Sequence, residues 1–154
     1  MGKKIFTFIL LIFLSSCGYE AIYSVKNTKN YNFSISKLSF FGNREINLKL
    51  KQKLNNYTRE TKDINFTLKI TSTSEKIILA KNVAGDSANF KINAIVNIDV
   101  FNKDKLKNNF IITETFSYGN NSNKFELKSY ETEIKKNLAD TIAEKLIFKL
   151  GNIK

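Results

Sequence analysis

The chain has no histidine, no proline and no tryptophan, and only one cysteine and six glycines in 154 residues. Without histidine, zinc sites of the usual kind and imidazole acid–base catalysis are excluded. The glycines are spread over the whole chain, so there is no glycine-rich loop to cradle a phosphate. Carboxylates are scattered as well, and pairs such as Glu131/Glu133 and Asp99/Asp104 fall at positions that read as surface. No enzyme and no cofactor is indicated. Long apolar runs are also missing: the ten residues Ile5 to Leu14 (IFTFILLIFL) fall short of the roughly 20 needed to span a bilayer.

What the chain has is positive charge, +11 at neutral pH. Such a balance suits an anionic partner such as nucleic acid, anionic lipid or a phosphorylated glycolipid. A composition heavy in Lys, Asn and Ile is equally the mark of drift, which needs no partner.

The single cysteine decides what the apolar run is for. Gly2-Lys3-Lys4 supplies a short basic region, Ile5 to Leu14 has the length of a signal-peptide apolar region, and small residues follow at Ser15 and Ser16. Leu14-Ser15-Ser16-Cys17 resembles the bacterial lipobox, which implies cleavage before Cys17, a diacylglyceryl group on its thiol and acylation of the new amine. An ordinary signal peptide or a buried first helix is the alternative. Myristoylation is not indicated, because Phe6 stands where Ser or Thr is expected. Removing sixteen residues, two of them lysines, leaves 138 residues with a net charge of +9. That is one domain's length, enough to bury a core without disulfides. Once lipidated, the mature chain has no thiol for a bridge, a metal or catalysis. An exported chain also argues against nucleic acid as partner. The expected organisation is a signal peptide over 1–16, a lipidated tether over 17–31 with Tyr19, Ile22 and Tyr23 as docking points, and a single domain over 32–154.

Within that domain, Asn32 to Phe41 reads as a strand whose alternation becomes ambiguous around Lys37-Leu38. Asn43 is placed to cap a helix from Arg44 to Tyr57, with Ile46, Leu50, Leu54 and Tyr57 as its apolar stripe and Lys49, Lys51 and Lys53 on a solvated face. Ile64, Phe66, Leu68 and Ile70 alternate with polar residues, a strand that resumes at Ile77–Leu79. After a turn at Gly85-Asp86-Ser87, every second residue from Ala88 to Val100 is apolar, the signature of a long antiparallel strand. A polar turn over Asn102–Asn109 leads to a fourth strand, Phe110 to Tyr118, with Phe110, Ile112, Phe116 and Tyr118 on one face. A loop over Asn120–Lys124 precedes a helix from about Glu126 to Leu150, striped by Leu127, Tyr130, Ile134, Leu138, Ile142, Leu146 and Leu150 and stopped by Gly151. These elements specify an α+β two-layer sandwich: a four-stranded, mostly antiparallel sheet with two helices on one face, in the order β-α-β-β-β-α.

With the lipobox-like head and this element order, the chain resembles the LptE family of lipopolysaccharide-assembly outer-membrane lipoproteins, particularly alphaproteobacterial members. The resemblance is carried by Cys17-Gly18-Tyr19-Glu20-Ala21-Ile22-Tyr23, with Ala21 where the family often has proline, by Phe41-Gly42-Asn43-Arg44, and by Phe116-Ser117-Tyr118 before the last helix. It implies an LptD-like outer-membrane β-barrel as partner, with this chain as its plug, and lipopolysaccharide as cargo. Gly18 after the anchor is consistent with sorting to the outer membrane, on its periplasmic face. Under that reading Lys103, Lys105 and Lys107 at the β-hairpin tip, with Lys124 nearby, are candidate contacts for lipopolysaccharide phosphates; a solvated turn is the plain alternative. An auxiliary lipoprotein of a phospholipid or solute transporter shares the same anchor and domain type. A lipid-anchored enzyme is the third reading, and the missing His, Cys and paired acids count against it.

Overall fold

The computed structural model describes residues 31–153. Cys17, the apolar run before it and the tether residues Tyr19, Ile22 and Tyr23 lie outside the described residues. The elements follow the expected order: β1 (Phe33–Gly42), α1 (Arg44–Leu54) continuing into a 3₁₀ turn (Asn55–Tyr57), β2 (Ile64–Lys81), β3 (Ser87–Asn102), β4 (Lys105–Gly119) and α2 (Lys124–Gly151). They form one four-stranded sheet in the spatial order β1-β2-β3-β4. β1 and β2 pair parallel, β2–β3 and β3–β4 antiparallel. A parallel pair needs a crossover rather than a hairpin, and α1 supplies it.

The ambiguity around Lys37 has a physical source. Ile35 pairs with Phe66 but Lys37 with Thr67, so Ser36 is an extra residue in β1. Its hydroxyl contacts the Phe66 carbonyl at 3.1 Å and Thr67 Oγ1 at 3.1 Å. The bulge moves the inward positions from the odd residues Phe33 and Ile35 to the even ones Leu38 and Phe40.

β1 ends where Gly42 takes φ +93, and a Cβ there would stand 1.9 Å from the Ser72 carbonyl oxygen. Only glycine fits this turn. Asn43 N then donates to Ser72 O at 3.0 Å, and the Asn43 side chain accepts from Ile46 N at 3.1 Å, the expected helix cap. Ser72 is buried beneath this corner, with its hydroxyl 2.7 Å from Asn47 Oδ1 and 3.2 Å from Asn43 O.

The core lies between the sheet and the two helices. Phe90, Ile92, Ala94, Val96, Ile98 and Val100 all face it from β3. The stripe of α1 is buried at Ile46, Leu50 and Leu54, and Tyr57 stacks on Phe33 with ring centroids 5.0 Å apart. Along α2 the stripe is buried except at Tyr130, which is 48% exposed, and Ala139 and Ala143 join it. Small residues there let α2 approach closely. Phe116 departs from expectation at 44% exposed, because β4 is an edge strand and α2 covers only part of its inner face.

Three further boundaries differ from the sequence reading. β2 is continuous through its polar middle, since Thr71 to Lys76 still pair with β3. The turn expected over Asn102–Asn109 shrinks to Lys103 and Asp104, so Lys105 and Lys107 belong to β4. α2 starts two residues early, because Asn123 accepts from Phe125 N at 3.1 Å and Glu126 N at 3.3 Å.

Candidate functional site

The sheet has two unlike ends. Phe33 pairs with Ile64, and Thr67 with Phe101. The chain's entry at Tyr31, the loop 58–63 and the β3–β4 turn therefore share one end. α2 finishes there too: Tyr31 lies so close to Gly151 that a Cβ on that glycine would come within 2.2 Å of the ring. Lys62 fastens the entry, its Nζ donating to Tyr31 O at 3.0 Å and its backbone N–H to Ser34 Oγ at 3.1 Å.

Lys103, Lys105 and Lys107 come together at this end, around a shallow cavity of about 360 Å³ that Asn102 and Asp63 also line. The turn is a two-residue hairpin with φ 50 at Lys103 and 61 at Asp104. Both residues are left-handed, which Asn-Gly or Asp-Gly would satisfy without strain. A register shift between Val100 and Phe101 makes Lys107 the extra residue of a second bulge. All three lysines are exposed. Three ammonium groups on flexible stems concentrate positive charge here, with Asp63 and Asp104 opposing part of it.

Lys124 is not near them. It opens α2 just after β4 ends, and β4 runs the length of the sheet from Lys105 to Gly119. Fourteen strand steps put it on the order of 45 Å from the lysine turn. Asp63 belongs to the site and was not legible beforehand; the signal was there, since a strand starting at Ile64 antiparallel to β3 puts Asp63 beside the β3–β4 turn.

At the other end, a polar cluster pins α2 to the sheet. Glu131 Oε1 accepts from Tyr118 Oη at 2.7 Å and from Lys76 Nζ at 2.6 Å. The Lys76 ammonium also sits 3.8 Å from the centroid of the Phe90 ring. Burial acts to raise the Glu131 carboxyl, but hydrogen bonds from Lys76 and Tyr118 and the charges of Lys76 and Lys135 outweigh it and hold the group below the usual range. Burial first, then the bond to Glu131 and its charge, push the Tyr118 phenol well above its ordinary value. The sequence reading put Glu131 on the surface; its side chain is 19% exposed, and its Oε1 holds both Lys76 and Tyr118. The Tyr130 ring, though half exposed, packs edge-on against Tyr118 with centroids 5.9 Å apart. The lysine face of α1 is likewise not simply solvated, since Lys49 and Lys53 reach Asp140 of α2 at 3.5 and 3.0 Å.

Among the described residues no group of His, Cys, Asp and Glu is arranged to hold a metal ion. None of the described helices is long and apolar enough to cross a membrane.

No protein-family model and no curated protein matches the sequence. Solved structures do share the fold. Rare lipoprotein B from Shewanella oneidensis aligns with a TM-score of 0.56 at 17% identity, over 74% of this chain and 92% of that one. A minor lipoprotein from Acinetobacter baumannii aligns at 0.57 and 14%, over 79% and 91%. Lipoprotein B from Nitrosomonas europaea aligns at 0.50 and 12%, over 77% and 86%. At these identities the likeness is one of fold.

Proposed function

We propose that this chain is an outer-membrane lipoprotein of the LptE kind, acylated at Cys17 and held on the periplasmic face, where it plugs and supports an LptD-like β-barrel that exports lipopolysaccharide. One observation carries the reading: a lipobox-like Leu14-Ser15-Ser16-Cys17 precedes a domain whose fold coincides with nearly the full length of three proteins described as lipoproteins. Neither half suffices alone, since many lipoproteins share the first and many small domains approximate the second.

The division of labour follows the sequence. Residues 1–16 direct export, 17–31 tether, and 32–154 form the working domain. Lys103, Lys105 and Lys107 meet the phosphates of lipid A and the inner sugars as flexible point charges. Lys124, at the far end of the sheet, is not part of that contact. The role is one of binding and assembly, without catalysis or a cofactor.

Two measurements test the reading. Mass spectrometry of the protein from its native host should find an N-terminus cut before Cys17 and carrying acyl chains; an uncut, unmodified chain would overturn it. Replacing the three lysines by glutamine should weaken binding of purified lipopolysaccharide and flatten its salt dependence without moving the melting temperature. Unchanged affinity at low and moderate salt would return these residues to the role of a solvated turn.

A further inference from the structure

β4 stands at the end of the strand order, so no described strand lies on its far side. One bond fixes the phase of its backbone. Asn120 N donates to Ala88 O at 2.8 Å, and the register with β3 runs unshifted from Gly119 back to Asn108. In an antiparallel ladder, residues that bond to the neighbouring strand alternate with residues whose groups point away from it. The even-numbered residues of β4 therefore bond to β3. Asn109, Ile111, Thr113, Thr115 and Ser117 turn their N–H and C=O groups outward.

Folded proteins usually blunt such an edge with lysine, proline or a bulge. β1, the other edge, carries Lys37 and the Ser36 bulge. β4 has Lys105, Lys107 and a bulge at its start, but none of these devices recurs from Asn109 to Gly119. The one charge in that stretch, Glu114, is taken up by Lys145 of α2. Ile111 is 65% exposed, and Thr113 and Thr115 are exposed beside it, all three being residue types that favour strand pairing. On the inner side α2 leaves Phe116 partly uncovered. Further along, where Lys145 meets Glu114 and Lys149 lies over the Phe110 ring, Phe148 and both lysines line a concavity of about 360 Å³.

We infer that an extended segment of the partner barrel joins β4 as a fifth strand, bonding to the outward groups of these five residues and laying alternate apolar side chains beside α2. The edge itself specifies the occupant, because a row of alternating donors and acceptors is matched by the backbone of another strand and not by a lipid or a free anion. That the strand belongs to a barrel rests on the proposed function. A closed barrel pairs its own strands with one another, so the segment comes from a loop or a terminal extension. The contact begins at Asn109 and leaves the lysine turn clear for lipopolysaccharide.

Thr113 separates backbone from side chain. Thr113→Pro removes an outward N–H that the fold does not use, at an edge position where proline is tolerated. Thr113→Ala keeps the N–H and loses only the side chain. When the full mature protein is purified with its partner from the native envelope in mild detergent, the alanine variant should retain the partner. The proline variant should lose about tenfold, the scale of a lost hydrogen bond, with an unchanged melting temperature. If the proline variant melts early, amide exchange in the wild type decides. The amides of Ile111, Thr113 and Thr115 should exchange freely in the protein alone and slowly in the complex. A photoreactive residue at Thr115 should crosslink to one contiguous segment of the barrel. Equal retention by two well-folded variants, or exchange at these amides unchanged by the partner, would overturn the inference and leave the proposed function standing. A crosslink to a second copy of this chain would overturn it as well. A crosslink to a protein that is not a barrel would remove the proposed function, and with it the barrel as occupant.

Discussion

Tyr118 donates its hydroxyl hydrogen to Oε1 of Glu131 at 2.7 Å, and because the same oxygen accepts from Lys76, one carboxylate oxygen joins β4, α2 and β2. A helix whose apolar stripe runs out at Leu127 is held at its exposed start by this polar contact. Tyr118→Phe should lower stability by about 1–2 kcal/mol, as expected for a hydrogen bond to a charged group. Glu131→Ala should cost a similar amount, while Glu133→Ala, two residues on and exposed, should be neutral. Urea melts of the three variants check this.

The same cluster makes stability depend on pH in a defined direction. Glu131 is held low in the folded state, so its contribution is present above its unfolded value of about 4.3 and is lost as pH falls through the folded one. Tyr118 is held high, so its contribution is present below about pH 10 and is lost as pH rises further. Glu131→Gln should flatten the acid side of the stability profile relative to wild type.

Packing of α2 predicts a harsher result. Ile134 is 4% exposed in the middle of the stripe. Ile134→Ala should cost about 2–5 kcal/mol, and Ile134→Asp, which buries an unpaired charge as well, should unfold the domain. Circular dichroism during thermal melting reports both.

At the corner between β1 and α1, Gly42→Ala should be as damaging as a core truncation despite adding one methyl group. The left-handed backbone alone costs about 1–3 kcal/mol, and the Ser72 carbonyl must also move. The β3–β4 turn predicts the reverse: Lys103→Asn, with Asp104 kept, should raise stability by up to about 1 kcal/mol while reducing binding to lipopolysaccharide. A gain in both would contradict a binding role for Lys103.

These positions also show how far the sequence could be read. β3 was legible because its alternating residues from Phe90 to Val100 all face the core. β1 was legible as a strand but its inward face was not, because the Ser36 bulge shifts its phase by one residue and leaves no mark in composition. The lysine turn was visible as a charged hairpin, but its tightness was hidden, since Lys-Asp is a poor sequence for two left-handed residues. Lys124 looked close to that turn because only a strand and a loop separate them; a strand that long crosses the whole molecule. Glu131 looked like a surface acid because its two partners, Lys76 and Tyr118, come from different strands and meet only once the sheet is assembled.

The most direct test of the central claim is what comes out of the native membrane with the protein. Outer membranes extracted in mild detergent and purified through a C-terminal tag should yield the acylated chain together with a large outer-membrane β-barrel. Recovery of phospholipid- or solute-transporter components in its place, or of the lipoprotein alone under conditions that preserve other envelope complexes, would contradict it.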